Sequence, residues 1–185
     1  REKTGREDVT IAVGRDPRVS GPDFLEGLLQ GFCKEGVQVF DAGLASTPAM
    51  FMATIFEKVR AGGACEGSIM ITASHLPFNR NGFKFFTKDG GLDKKDIARI
   101  LELAEEDAAK GPGECDPRLA QVTDLALMDA YCVHLQQVIR TGVTDGSTGA
   151  PDVAAAKKAA ERPLVGMKIV VDAGNGSGGF FAEKV

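Results

Sequence analysis

A chain of 185 residues with 43% hydrophobic content can bury one ordinary core, and its net charge of -4, with both signs interspersed, offers no basic stripe for nucleic acid. No apolar run approaches the ~20 residues of a membrane span, and Arg1 to Asp8 is too charged for a signal peptide. Cys33, Cys65, Cys115 and Cys132 lie far apart with no Cys-x-x-Cys pair, which argues against a zinc site or a disulfide scaffold and for reduced thiols in an intracellular soluble protein.

Val9 to Val13 is a β-branched run closed by Gly14, and beyond a loop Pro22 and Asp23 open the helical spacing of Phe24, Leu25, Leu28, Leu29 and Phe32. Val37 to Phe40 repeats the strand signal. Thr47-Pro48 then gives an N-cap and a first-turn proline ahead of Met50, Phe51, Met52, Ile55 and Phe56, where both methionines read as core filling. A third apolar strand, Gly67 to Ile71, runs into the long loop Thr72 to Gly82, and Phe83 to Phe86 returns as a short strand toward the Lys88-Asp89-Gly90-Gly91 turn. Asp93 caps a helix with Ile97, Ile100, Leu101 and Ala104 on its apolar side and Glu102 to Asp107 on a solvated face. From Asp124 to about Arg140 a further helix carries Leu127, Tyr131, Leu135 and Val138, with His134 in a surface or packing role. The alternation predicts an α/β fold, a three-layer α/β/α mixed sheet.

Thr141 to Pro163, rich in Gly, Ala, Thr and Asp, reads as a linker or surface excursion with a short helix around Ala154 to Glu161. Lys168 to Val171 is expected to begin a new strand that ends in the glycine-rich turn Asp172 to Gly179. The predicted organisation is therefore a first domain over 1–140, a linker over 141–163 and the start of a second, similar domain over 164–185. Because the chain lacks an initial methionine and stops a few residues into an apparent helix, it is expected to be a fragment.

The densest run of chemically useful residues is Thr72 to Lys84. Ligands of open α/β sheets collect at the carboxyl ends of strands, which is where Ser74 falls. After the first strand, Gly14-Arg15-Asp16-Pro17-Arg18-Val19-Ser20-Gly21-Pro22 brings two arginines into a comparable loop. Arginine's planar fork suits phosphate, and Lys84 adds a point charge. The plainer reading pairs these arginines with nearby acids, and for Arg18 that reading is preferred.

These residues resemble the α-D-phosphohexomutases, the family of phosphoglucomutase, phosphomannomutase and phosphoglucosamine mutase. The family's phosphoserine loop, Thr-x-Ser-His-x-Pro followed by Asn-Gly-x-Lys, is matched by Thr72, Ser74, His75, Pro77, Asn81, Gly82 and Lys84. Val13 to Gly21 is similar to its first-domain arginine loop, and Val171 to Gly179 to the opening turn of its second domain. The variant Ser74 to Phe86 and the Gly179-Phe180-Phe181 ending look closest to plant and algal members described as phosphoglucosamine-mutase-like, which would suggest cytosol or plastid stroma. Leu76 departs from the asparagine of many relatives. The resemblance implies that phosphorylated Ser74 hands its phosphoryl group to a hexose phosphate through a bisphosphate, with a hexose 1,6-bisphosphate as activator. By the same carry-over Arg15 and Lys84 flank the phosphoryl group, His75 contacts substrate, and Mg2+ binds the Ser74 phosphate together with aspartates downstream of Val185. The partners implied are the hexose phosphate and the remaining domains of a longer chain, and the isolated fragment would be inactive.

Three other readings are open. A serine hydrolase lacks its Gly-x-Ser-x-Gly elbow, and sequence neighbours on a loop seldom place a histidine nitrogen on the adjacent serine oxygen. A dinucleotide site would use Gly174, Gly176, Gly178 and Gly179, whose spacing is not Gly-x-Gly-x-x-Gly and fits a tight structural turn better. The third is a non-catalytic sugar-phosphate or partner-binding relative that keeps the fold.

Overall fold

The computed structural model describes residues 1–111, 115–146, 161–173 and 178–185. The chain divides into two compact units, Arg1–Leu127 and Met128–Val185. Six strands in the first form one sheet: β1 (Thr10–Arg15), β2 (Gln38–Leu44), β3 (Gly67–Ile71), β4 (Phe83–Thr87), β5 (Gly90–Gly91) and β6 (Gln121–Asp124), in the order β5-β4-β3-β1-β2-β6. β1 is central and parallel to β2 and β3, and β6 is parallel to β2. β4 and β5 run antiparallel at the other edge, so the sheet is mixed.

Alternation along the strands sends side chains to two faces. On one, Val13, Val39, Ile69 and Ile71 bury against Phe24, Leu25, Leu28, Leu29 and Phe32 of α1 (Gly21–Glu35). α1 starts where Pro22 can spare its missing N–H, and it stops at Gly36, whose φ of 62° lets its N–H reach the Phe32 and Cys33 carbonyls. On the other face, Ser68 donates to the Met50 carbonyl of α2 (Thr47–Met52) at 2.5 Å. A Cβ on Gly14 would stand 2.5 Å from the Met50 sulfur, so glycine there is what lets α2 approach β1. Helices thus cover both faces. α3 (Lys94–Ala109) opens with the expected Asp93 cap, completed as a capping box by Asp96, and Lys34 of α1 pairs with its Asp107.

Several expectations need correction. Cys33, in the last turn of α1, is disulfide-bonded to Cys115, with 6.2 Å between Cα atoms, while Cys65 and Cys132 are buried and take no part in that bond. A separation of 82 residues gave no hint of this, because sequence spacing carries no information about two thiols brought together by the return of the chain toward β6. The bond also removes thiol state as an argument for an intracellular compartment. β6 was not anticipated: Gln121-Val122-Thr123-Asp124 is exposed throughout and owes its strand form to pairing with β2.

The helix α4 (Leu127–Gly146), which belongs to the second unit from Met128 onward, runs past Arg140 into the expected linker. Lys168 to Val171 forms no strand, and Ile169, Val170 and Val171 are exposed, since no neighbouring strand is there to accept and donate its backbone hydrogen bonds among the described residues. A short helix, α5 (Gly179–Ala182), follows. The helix expected around Ala154 to Glu161, except Glu161, and the turn residues 174–177 lie outside the described residues. Among those described, no helix is long and apolar enough to cross a membrane.

Candidate active site: the loop carrying Ser74

Because β1 and β3 are parallel neighbours, the segments following Arg15 and Ile71 leave the sheet at the same end. The first loop is tied to the end of β3 where Asp16 N–H donates to the Ile71 carbonyl at 3.1 Å, and the Ser74 loop is closed at its own base where Thr72 N–H donates to the Gly82 carbonyl at 2.9 Å. Thr72 is buried, and its hydroxyl donates to an Asp16 carboxylate oxygen at 2.7 Å while accepting the Ser74 N–H at 2.9 Å. Ser74 itself is exposed, with a φ of 56°, the one non-glycine residue with positive φ among those described. That conformation costs a residue with a Cβ about 1–2 kcal/mol, so the surrounding contacts must hold it. Asn81 adds a second tie by donating to the Ser20 hydroxyl at 3.1 Å.

His75 is exposed beside Ser74, with Nδ1 3.2 Å from the serine Oγ. The expectation that adjacent residues would not meet in this way is therefore wrong: the positive φ of Ser74 turns the chain enough to bring its hydroxyl under the ring. This contact does not make a hydrolase triad, since no carboxylate meets the other ring nitrogen among the described residues. The pair can share a proton but lacks the group that would fix the tautomer.

Arg15 and Lys84, expected to flank the same group, leave the sheet on opposite faces. Arg15 stands in register with Ile71, which faces α1, whereas Lys84 is in register with Met70, on the α2 face. The Arg15 stem packs under Gly21, its guanidinium lies 3.6 Å from Asp41, and Nη1 is buried with no hydrogen-bond partner. Lys84 is half-buried and has no ion pair or hydrogen bond among the described residues, leaving its charge uncommitted. As a magnesium site the residues present do not suffice. Among those described no cluster of three acids, histidines or cysteines could hold a metal, and both oxygens of Asp16 are engaged by Arg18 and Thr72.

Arg18 is the residue that sequence reasoning undervalued. It does pair with Asp16 at 2.9 Å, as expected, but its remaining donors cross to the carbonyls of the Ser74 loop. No spacing announces that, because the acceptors are main-chain atoms of a loop more than fifty residues away. Leu76 and Phe78 are 58% and 83% exposed in that loop, so it presents an apolar surface.

The model of the phosphoglucomutase/phosphomannomutase alpha/beta/alpha domain I matches residues 1–110. A phosphoglucomutase of Neisseria meningitidis serogroup B is 32% identical over 185 residues, covering 99% of this chain and 33% of its own. A phosphomannomutase/phosphoglucomutase of Pseudomonas aeruginosa is 30% identical, with 100% and 32% covered, and a phosphoglucosamine mutase of Corynebacterium jeikeium is 34% identical, with 96% and 34% covered. The crystal structure of a phosphoglucomutase/phosphomannomutase family protein from Burkholderia thailandensis superposes with a TM-score of 0.57 at 27% identity, over 73% of this chain and 28% of that one. The chain thus spans about a third of the length of these curated relatives.

Proposed function

The chain belongs to the phosphoglucomutase/phosphomannomutase family, and from that premise we propose that it carries the phosphoserine corner of a phosphohexomutase that interconverts hexose 1-phosphate and 6-phosphate. The observation that carries this reading is Ser74: an exposed hydroxyl in a strained conformation, on a loop pinned at both roots, at the carboxyl end of the two central strands. In the proposed reaction the Oγ–P bond of phosphorylated Ser74 breaks as a sugar hydroxyl forms a new O–P bond, and the proton that this hydroxyl gives up is returned to the departing Ser74 Oγ, which leaves as a neutral hydroxyl. The resulting hexose bisphosphate then turns over and returns its other phosphoryl group to Ser74.

Phosphoryl transfer is catalysed chiefly by positioning and by stabilising charge. Lys84, free of competing acids, suits the role of a cation beside the phosphoryl group. Arg15, held between Gly21 and Asp41, would act electrostatically from beneath, and its unbonded Nη1 supports that assignment. His75, already on the Ser74 hydroxyl, would contact substrate. Magnesium, when bound, would neutralise charge on the Ser74 phosphate. With no set of carboxylates for it among the described residues, we place its other ligands outside them, and we propose that this 185-residue chain alone is inactive. The narrower plant and algal likeness rests only on the residues around Ser74 and Phe180, and a cytosolic or plastid location would follow from it.

The test is the longer polypeptide. Intact mass should show one phosphate after incubation with hexose 1,6-bisphosphate, and Ser74→Ala should remove both that phosphate and turnover of glucose, mannose and glucosamine phosphates. Turnover of the variant within about tenfold of the parent overturns the reading. Persistent absence of phosphate in the parent would point instead to a non-catalytic sugar-phosphate-binding relative.

A further inference from the structure

Arg18 offers five N–H donors, and each meets an acceptor. Nε donates to Asp16 at 2.9 Å, Nη1 to the carbonyls of Pro77 and Arg80 at 2.6 and 3.1 Å, and Nη2 to those of Ser74 and Leu76 at 2.8 and 2.9 Å. The side chain is 11% exposed, and Asp16 is 17% exposed. A guanidinium with every donor used has none left for a phosphate, so Arg18 is not a phosphate ligand in this arrangement. What it does hold is backbone. Together with Thr72 it fixes both polar groups of Ser74: the N–H through the Thr72 hydroxyl, and the C=O through Arg18. The two restraints converge on one carboxylate, since Asp16 accepts from both Thr72 and Arg18.

We propose that Arg18, with Asp16, is a positioning residue that sets the backbone of the loop from Ser74 to Arg80 and thereby aims the Ser74 hydroxyl. The proposal rests on the phosphoserine reading of Ser74 for its catalytic consequence, but not for the loop restraint itself. Lysine cannot replace Arg18: an ammonium has three donors on a single point, and the five acceptors lie around a planar fork. With the carbonyls released, nothing comparable balances the positive φ of Ser74, and the residue relaxes toward an ordinary conformation that turns its hydroxyl away.

The experiment uses the full-length polypeptide with Arg18→Lys and Arg18→Ala, read in two independent ways. One is the rate of tryptic cleavage after Arg80, an exposed residue whose carbonyl Arg18 holds. The other is hexose-phosphate turnover with and without added guanidinium. Arg18→Lys should keep the parent's melting transition, cleave after Arg80 about tenfold faster, and lose about 100-fold in kcat with KM moved less than about threefold, as misaiming without loss of substrate contact requires. Guanidinium should restore part of the turnover of Arg18→Ala but none of that lost in Ser74→Ala. Parental cleavage rates in both Arg18 variants, or kcat within about threefold of the parent, would overturn the proposal. If the parent itself shows no turnover, the mutase reading fails, and the cleavage rates alone still decide whether Arg18 restrains the loop.

Discussion

Ile69 and Ile71 in β3, and Ile169 and Val171 in the second unit, occupy runs of the same character, yet the first two are 6% and 0% exposed and the second two 58% and 67%. β3 lies between β1 and β4, and its backbone groups are spent on them. The later run has no strand beside it among the described residues. The difference shows what an apolar β-branched run specifies. It makes a segment suited to a pleated, buried position, but the hydrogen bonds that turn it into a strand belong to a neighbour, whereas a helix closes its own.

The largest test of this contrast is at Ile71, which is fully buried between α1 and the sheet. Ile71→Ala should destabilise the first unit by about 2–5 kcal/mol, as cavities in close-packed cores do. The denaturant midpoint followed by far-ultraviolet circular dichroism measures it. A change below about 0.5 kcal/mol would mean that β3 is no better packed than the later run, and the contrast would dissolve.

A smaller effect is expected where the first unit is held covalently. The Cys33–Cys115 bond closes a long loop, so Cys33→Ser should cost about 2–4 kcal/mol under non-oxidising-sensitive, thiol-free conditions. In excess dithiothreitol the parent should fall to the level of the variant. Equal midpoints in both buffers would show that the two thiols do not form the bond in solution.

How far the sequence reveals this molecule depends on where each interaction partner lies. The five strands and helices from Thr10 to Met52 and Gly67 to Ile71 announce themselves through periodicity, proline and glycine placement, because those signals are local. β6 does not, since its exposed, mostly polar residues acquire strand form only from β2. The site divides in the same way. Ser74, His75 and Lys84 were legible from their spacing, while the contact of His75 with Ser74 needed a backbone angle and the grip of Arg18 needed carbonyls brought from another strand's loop. The face on which Arg15 and Lys84 start was also hidden, because it follows from register across β1, β3 and β4 rather than from either residue's neighbours.

The smallest expected effect is the most discriminating for the second unit. Val170 is 92% exposed, so in this chain it buries almost no surface that a substitution could forfeit. Val170→Ser should therefore move the unfolding midpoint by less than about 0.5 kcal/mol, the range of surface changes that touch no special feature. In a strand with a neighbour on each side the same change would remove a β-branched side chain from a packed face and put a hydroxyl there, at a cost of about 1–3 kcal/mol. Measuring the substitution in the 185-residue chain thus asks whether residues 168–171 are paired in solution. A loss above about 1 kcal/mol would show that they are, and that the run resembles β3 in its surroundings as well as in its composition.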